Sequence, residues 1–350
     1  MPERRAQTSA KTGGPRSPTR TAGLLLLAVC LAIAFPAAAW AQDKPLQKRL
    51  SGGYLAVQVG QGQTLASLAE AHLGGADHAW RIAEFNGVSS VSPGDTVVIP
   101  LREENPGGVR PGRYQTVPVL SYHKFSEQPA DGKTTVSRAQ FERQMQHLAD
   151  NGYTVVTLDA LLDFMAYERP LPSKAVAITI DDGWRSTYEI AYPVLKRHGF
   201  PATLFVYTGL IAEQGGKLAM TWEQIRELAD NGIDVQCQSR SHRNFAKPRD
   251  NENFESYFRA IDAELTETAR VLKEKVGADC RFLSYPYGQT NPLVIAVAKQ
   301  HDLRGAFTLR REASPFFADP YRIGRAMIFN DFDLEDFKEN LVVSSSEALQ

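Results

Sequence analysis

From residue 117 onward, short apolar runs alternate with stretches of helical periodicity, and this alternation restricts the possible folds more than any other feature of the chain. Strands are expected over 117–122, 154–156, 175–180, 202–206, 233–237, 282–285, 305–308 and 322–328. Between them the periodicity predicts helices over 137–151, 160–166, 185–198, 221–231, 254–275 and 292–301, with a last one over 334–341. The punctuation agrees: Ser137 and Thr221 suit N-caps, and Asn151-Gly152, Gly199 and Gly232 suit helix stops. Apolar strands separated by helices make a parallel α/β sheet covered on both faces. With this many repeats, a closed barrel is expected rather than an open sheet. No glycine fingerprint follows any of these strands. Gly60-Gln61-Gly62 lacks a third glycine, and there is no phosphate loop. Dinucleotide and nucleotide chemistry are thereby disfavoured. Lysine plus arginine number 39 against 40 aspartate plus glutamate, without a basic stripe, so no nucleic acid partner is expected.

The N-terminus has its own logic. Arg4, Arg5, Lys11, Arg16 and Arg20 form a basic stretch, followed by an uncharged run from Ala22 to Phe35 and then Ala39-Trp40-Ala41. This is the three-part pattern of a secretory signal over residues 1–41. The 14-residue apolar run is short for a membrane span of roughly 20. No stable span is expected after cleavage, and the protein is expected to be periplasmic or secreted. Cleavage would remove five basic residues and one acidic one, leaving a mildly acidic chain with Cys237 and Cys280. These two fall near opposite ends of neighbouring expected strands, so two buried free thiols are expected rather than a disulfide.

Residues 42–53 read as a polar linker. Residues 54–100 read as a compact strand–helix–helix–strand unit, and 101–116, with Pro106, Gly107, Gly108, Pro111 and Gly112, as a second linker. The unit is marginal alone, which suits a binding module.

In a parallel barrel, reacting groups collect at the carboxyl ends of strands. Asp181-Asp182-Gly183 follows the expected strand 175–180. One aspartate explains a helix cap, but two adjacent carboxylates at a buried strand end call for a cation or a shared proton. His123 follows the first strand, Gln238-Ser-Arg-Ser-His242 follows strand 233–237, and Pro286-Tyr287-Gly288 follows strand 282–285. A histidine at a strand end is more often a polar loop residue than a ligand, yet three strand ends here offer carboxylates or imidazole, enough for one divalent ion. Tyr122, Trp184 and Tyr287 are candidates to stack on sugar rings, with core packing as the plainer reading.

These pieces carry two resemblances. Tyr54-Leu-Ala-Val, Gly62-Gln-Thr-Leu-Ala-Ser-Leu-Ala, Phe85-Asn86-Gly87 and Ser92-Pro-Gly-Asp-Thr-Val-Val-Ile-Pro100 resemble a LysM domain. That implies binding of glycans containing N-acetylglucosamine, or a LysM fold reduced to a spacer. Leu120-Ser-Tyr-His123, Thr179-Ile-Asp-Asp-Gly183, Gln238-Ser-Arg-Ser-His242 and Ser284-Tyr-Pro-Tyr-Gly288 resemble the polysaccharide deacetylase (NodB homology) family, over about residues 117–343. This second resemblance implies a distorted seven-stranded (β/α) barrel and metal-dependent removal of acetyl groups from N-acetylated sugars; export and the LysM-like unit together make peptidoglycan the first expected polymer, with a chitin-like one beside it. It makes Asp181 the general base, Asp182 and His242 ligands of a divalent metal, zinc by preference, and the Tyr287 backbone N–H the oxyanion donor.

Three departures stand out. Gln238 occupies a position where the family has a ligating histidine, so it is carried as the third ligand, with a weaker site, a harder ion or recruitment of His123 as consequences. Ser284 stands where an arginine is usual. The late histidine acid is missing, since His301, the last histidine, reads as a mid-helix surface residue. His123 is therefore the candidate acid. A catalytically silent, glycan-binding barrel is the alternative function.

Overall fold

The structure, a computed structural model, describes residues 46–346 apart from 51, 103, 104 and 130. The expected signal segment lies outside the described residues. No helix among them is long and apolar enough to cross a membrane.

The N-terminal unit has one strand more than expected. β1 (Gln47–Leu50), β2 (Tyr54–Gln58) and β3 (Thr96–Pro100) form an antiparallel sheet in that order, carrying α1 (Leu65–Leu73) and α2 (Ala79–Asn86). β1 falls in the stretch read as a linker. Its polar, exposed residues hide it from a periodicity search, and Gly52 and Gly53, at φ 84° and 85°, let the chain reverse into β2. Val57, Leu68, Ile82, Val97 and Ile99 close a small core. Thr64 caps α1 through a capping box with Ser67.

The larger unit is a parallel half-barrel of seven strands. In chain order these are β4 (Val119–Tyr122), β5 (Ala175–Asp182), β6 (Thr203–Tyr207), β7 (Asp234–Ser239), β8 (Phe282–Ser284), β9 (Gly305–Phe307) and β10 (Ala326–Met327). Their order across the sheet is β9-β8-β7-β6-β5-β4-β10. Thr154–Val156 pairs along the first residues of β5, below β4. The expected closure is not a full ladder. Between β9 and the chain leading into β10 only the bridge Phe307–Ile323 forms, and the expected strand 322–328 shortens to two residues.

The expected strand 117–122 is likewise split. Pro118 has no N–H for the ladder. Arg113–Val117, from the end of the expected linker, instead pairs antiparallel with Val109–Arg110, Ser314–Pro315 and Ser344–Ser345. The helix expected over 185–198 starts as a π-turn, Thr187–Ala191, before Tyr192–His198, and a helix over Thr208–Gln214 was not foreseen.

Strand alternation sorts the side chains into two sets. Leu120, Tyr122, Ile178, Ile180, Leu204, Val206, Val235 and Leu283 pack outward in the main core. Val119, Ala177, Phe205, Phe282 and Phe307 fill the second, inner core. Thr179, Asp181, Gln238 and Ser284 are also buried and share the inward parity of these strands, so the inner core turns polar toward the carboxyl ends of the strands. Tyr122, a proposed sugar platform, is fully buried and serves the outer core.

Cys237 and Cys280 correct another expectation, because they form a disulfide. β8 begins only at Phe282, so the preceding residues do not continue the ladder, and Cys280 lies 5.6 Å (Cα–Cα) from Cys237, inside the range a disulfide spans.

Candidate active site

Asp181 and Asp182 are the last two residues of β5, an interior strand between β6 and β4, all eight of whose residues are buried. Strand geometry would send two neighbours to opposite faces. Asp181 follows the rule and points inward. Asp182 sits at φ 75°, in the left-handed region, and this turn brings its carboxylate back to the rim. His242 and Tyr287, at φ 55° and 60°, share the same unfavourable backbone. Three such residues at one barrel mouth, each costing about 1–3 kcal/mol, mark a site whose surroundings fix its geometry.

Asp181 is held from an unexpected direction. Arg325, immediately before β10 and fully buried, grips it with two N–H···O bonds of 2.7 and 2.8 Å. Its other donors go to Thr179 Oγ1, Ser284 Oγ and the Thr308 carbonyl, so all five guanidinium N–H groups are satisfied. Ser284 Oγ lies a further 3.2 Å from Asp181 Oδ2. The small Ser284 leaves the space in which the guanidinium sits. Arg325 was missed in the sequence; its only signal was a charge in the interior of the run 322–328 expected to be a strand. His123, at the end of β4, places Nε2 3.9 Å from Asp181 Oδ2. Its Nδ1 is buried with no hydrogen-bond partner among the described residues. The separation is too long for a direct bond, but it lets both groups reach one small molecule between them.

Asp182 has a different set of partners. Trp184 Nε1 donates to Oδ2 at 2.8 Å, and Gln238 Nε2 donates to Oδ1 at 3.0 Å. His242 Nε2 lies 3.5 Å from Oδ1. Burial pushes the Asp182 carboxyl up, but His242, His123 and the Trp184 N–H outweigh it and hold the group well below the usual carboxylate range. Trp184 in turn lies 3.7 Å beneath the Lys124 ammonium, a cation–π contact that covers one face of the ring. The His242 ring sits between Tyr207 and Tyr287, at 5.2 and 4.8 Å between centroids. Of the aromatic residues proposed to face sugar, Tyr287 is the open one, 57% exposed.

The turn that carries His242 rests on Glu264, a buried carboxylate of the helix Phe254–Val276. Glu264 accepts the backbone N–H groups of Arg240 and Ser241 at 2.8 and 2.9 Å, and the Ser241 hydroxyl. The His242 N–H donates to Ser239 Oγ at 3.0 Å, which closes the turn. Glu264 was also missed, because its helix reads from sequence as a solvated face. His301 is not mid-helix. It caps Pro292–Gln300 and pairs with Asp262 at 2.7 Å.

The residues expected at the site therefore share one rim, but the expected metal ligands do not make a three-ligand site. Asp182 and His242 face each other as two donors. Gln238 differs: its Oε1 accepts the Asp182 N–H at 3.1 Å while its NH₂ points at Asp182 Oδ1. Turning the amide over would set NH₂ against N–H, so the backbone fixes the orientation. An NH₂ group is no ligand. Among the described residues no three His, Cys, Asp or Glu side chains converge on one point. The chain thus does not fit the three-protein-ligand arrangement of a catalytic zinc site.

Comparison with known proteins agrees with the fold. Residues 168–306 match the family model for polysaccharide deacetylase. The chain is 27% identical over 212 residues to the poly-beta-1,6-N-acetyl-D-glucosamine N-deacetylase of Staphylococcus aureus, covering 59% of this chain and 72% of that protein. It is 28% identical over 186 residues to YxkH of Bacillus subtilis, and the match spans 53% of this chain and about three-fifths (61%) of YxkH. The structure of the Streptococcus pyogenes deacetylase PplD superposes with a TM-score of 0.58, at 21% identity, over 65% of this chain and 98% of that one. The seven-stranded parallel half-barrel is the fold of the polysaccharide deacetylases of carbohydrate esterase family 4, a hydrolase family that is generally metal-dependent, and the match to their family model lies within it.

Proposed function

We propose that the barrel removes N-acetyl groups from a polysaccharide containing N-acetylglucosamine. The observation that carries this reading is the Asp181 carboxylate, gripped by Arg325 at 2.7 and 2.8 Å and facing His123 at 3.9 Å. In the reaction a water adds to the acetamide carbonyl while Asp181 accepts its proton. The Tyr287 backbone N–H donates to the oxygen that becomes negative. His123, protonated, gives its proton to the departing nitrogen as the C–N bond breaks, and acetate and a free amine result. No step is assigned to a metal, because the protein donors do not complete a three-ligand site. The N-terminal unit serves in this proposal as a LysM module for the same class of glycan, and the signal-like leader takes the chain to the periplasm or the medium. The name of the Staphylococcus aureus relative favours an N-acetylglucosamine polymer, and a LysM-like unit on an exported chain favours peptidoglycan.

The test is acetate release from poly-β-1,6-N-acetylglucosamine oligomers, peptidoglycan and chitin oligomers. Asp181→Asn should lower kcat on the working substrate by about 10²–10⁴ with KM little changed. If the folded wild type releases acetate from none of the three, the proposal fails. The second reading, a silent glycan-binding barrel, would then stand, and the Gln238 amide is the observation in its favour.

A further inference from the structure

We infer that Gln238 acts as a clamp on Asp182 and not as a ligand, so that a divalent cation at this rim has only Asp182 and His242 as protein donors and keeps most of its water. The inference rests on the reading of this rim as a deacetylase site, but it concerns metal binding alone. Gln238 makes a two-point contact with one residue, taking the Asp182 N–H at 3.1 Å and giving an N–H to Asp182 Oδ1 at 3.0 Å. Both contacts help to hold Asp182 in its left-handed backbone. The same NH₂ directs positive charge at Oδ1, the oxygen 3.5 Å from His242 Nε2. A cation between Oδ1 and Nε2 would meet this positive edge where a third ligand is needed. One carboxylate, one imidazole and several waters suit a weakly held, exchangeable ion. They do not suit zinc, which takes three protein ligands in catalytic sites.

The alternative third donor is His123. Its close approach is to Asp181, at 3.9 Å from that carboxylate, and it reaches Asp182 only as a nearby charge. The buried, unpartnered Nδ1 of His123 leaves that alternative open to test.

The experiment is calorimetric titration of the full chain with Zn²⁺ and Mn²⁺, without substrate, alongside the absorption spectrum of the Co²⁺ form. The wild type should bind zinc weakly and give the faint spectrum of six-coordinate cobalt. Gln238→His should tighten zinc by about 10- to 100-fold, the scale on which neighbours of a metal site act, and should give the intense spectrum of four- or five-coordinate cobalt. Gln238→Glu keeps an acceptor for the Asp182 N–H and adds an anionic oxygen. It should tighten Mn²⁺, and it answers the question if the histidine variant does not fold. His123→Ala should leave zinc affinity unchanged. Unchanged or weaker zinc binding in folded Gln238→His overturns the inference, as does loss of zinc binding in His123→Ala. Acetate release is measured separately. A protein that shows this metal pattern and releases no acetate refutes the proposed function, and one that releases acetate without the pattern refutes only this inference.

Discussion

Arg325 places a positive charge in the most buried part of the barrel, and the arrangement is stable because every N–H of the guanidinium has a partner and Asp181 balances the charge. Removing one member of a buried pair strands the other. Arg325→Met should therefore lower the unfolding free energy by about 3–5 kcal/mol, measured by denaturant titration. It should also abolish acetate release, because Asp181 loses its orientation. Arg325→Lys keeps the charge and loses the fork, so it should fold better than the methionine variant yet remain impaired in kcat. A lysine variant with wild-type kcat would show that the bidentate geometry is dispensable. At this scale the motif residues were legible, since Asp181, Asp182, His123, His242 and Tyr287 all reach one rim. Their partners were not: Arg325 lies 144 residues from Asp181, and nothing in either local sequence points to the other.

Among the elements, the turns after strands matter more than the strands. The Ser239–His242 turn is fixed by Glu264 from a helix that begins after an intervening loop. Glu264→Gln can keep both backbone N–H bonds through its one oxygen, but it removes the negative charge and reverses the bond to the Ser241 hydroxyl, which must then accept from the NH₂. It should reduce kcat by about 10-fold with KM nearly unchanged, because the turn would still form but aim His242 less well. An equal loss in both parameters, or none, would remove Glu264 from this role. The loop beyond the turn has its own clamp. The Arg243 side chain grips Glu252 at 2.7 and 2.6 Å. Hydrogen bonding from Arg243, helped by the Arg249 N–H and opposed by burial, holds the Glu252 carboxyl down to about 2 from an ordinary 4.5. A depressed carboxylate stabilises the fold above its unfolded pKa, and that contribution is lost as pH falls from about 4.5 to about 2. Wild type and Glu252→Gln should therefore differ in unfolding free energy at pH 6 and converge near pH 2. A difference that persists at pH 2 would place the effect elsewhere.

On the scale of the whole molecule, the N-terminal unit docks away from the chemistry. Asp77 pairs with Arg169 at 2.6 Å, and Glu84 accepts from Ser173 N and Oγ at 2.8 and 2.9 Å. Both partners lie just before β5 begins, whereas the candidate site lies where β5 ends. A glycan held by the N-terminal unit and an acetamide under attack would thus lie toward opposite ends of β5. Deleting residues 46–100 should leave kcat on short oligomers unchanged and raise KM on polymeric substrate, and an equal KM on both would argue against a glycan-anchoring role. Taken alone, the sequence determined what depends on neighbours along the chain: the alternation of strands and helices, their caps and stops, and the motif residues at the strand ends. Tertiary structure decided what depends on residues distant in sequence or on the backbone. Examples are the incomplete closure of the barrel, the path of the chain before β8 that brings Cys280 within 5.6 Å (Cα–Cα) of Cys237, and the left-handed turn that brings Asp182 back to the rim. The physical reason is that periodicity reports which face of an element is apolar. It carries no information about which charge from another strand will fill the space left by a small residue, or which way an amide must point once a backbone N–H has claimed its oxygen.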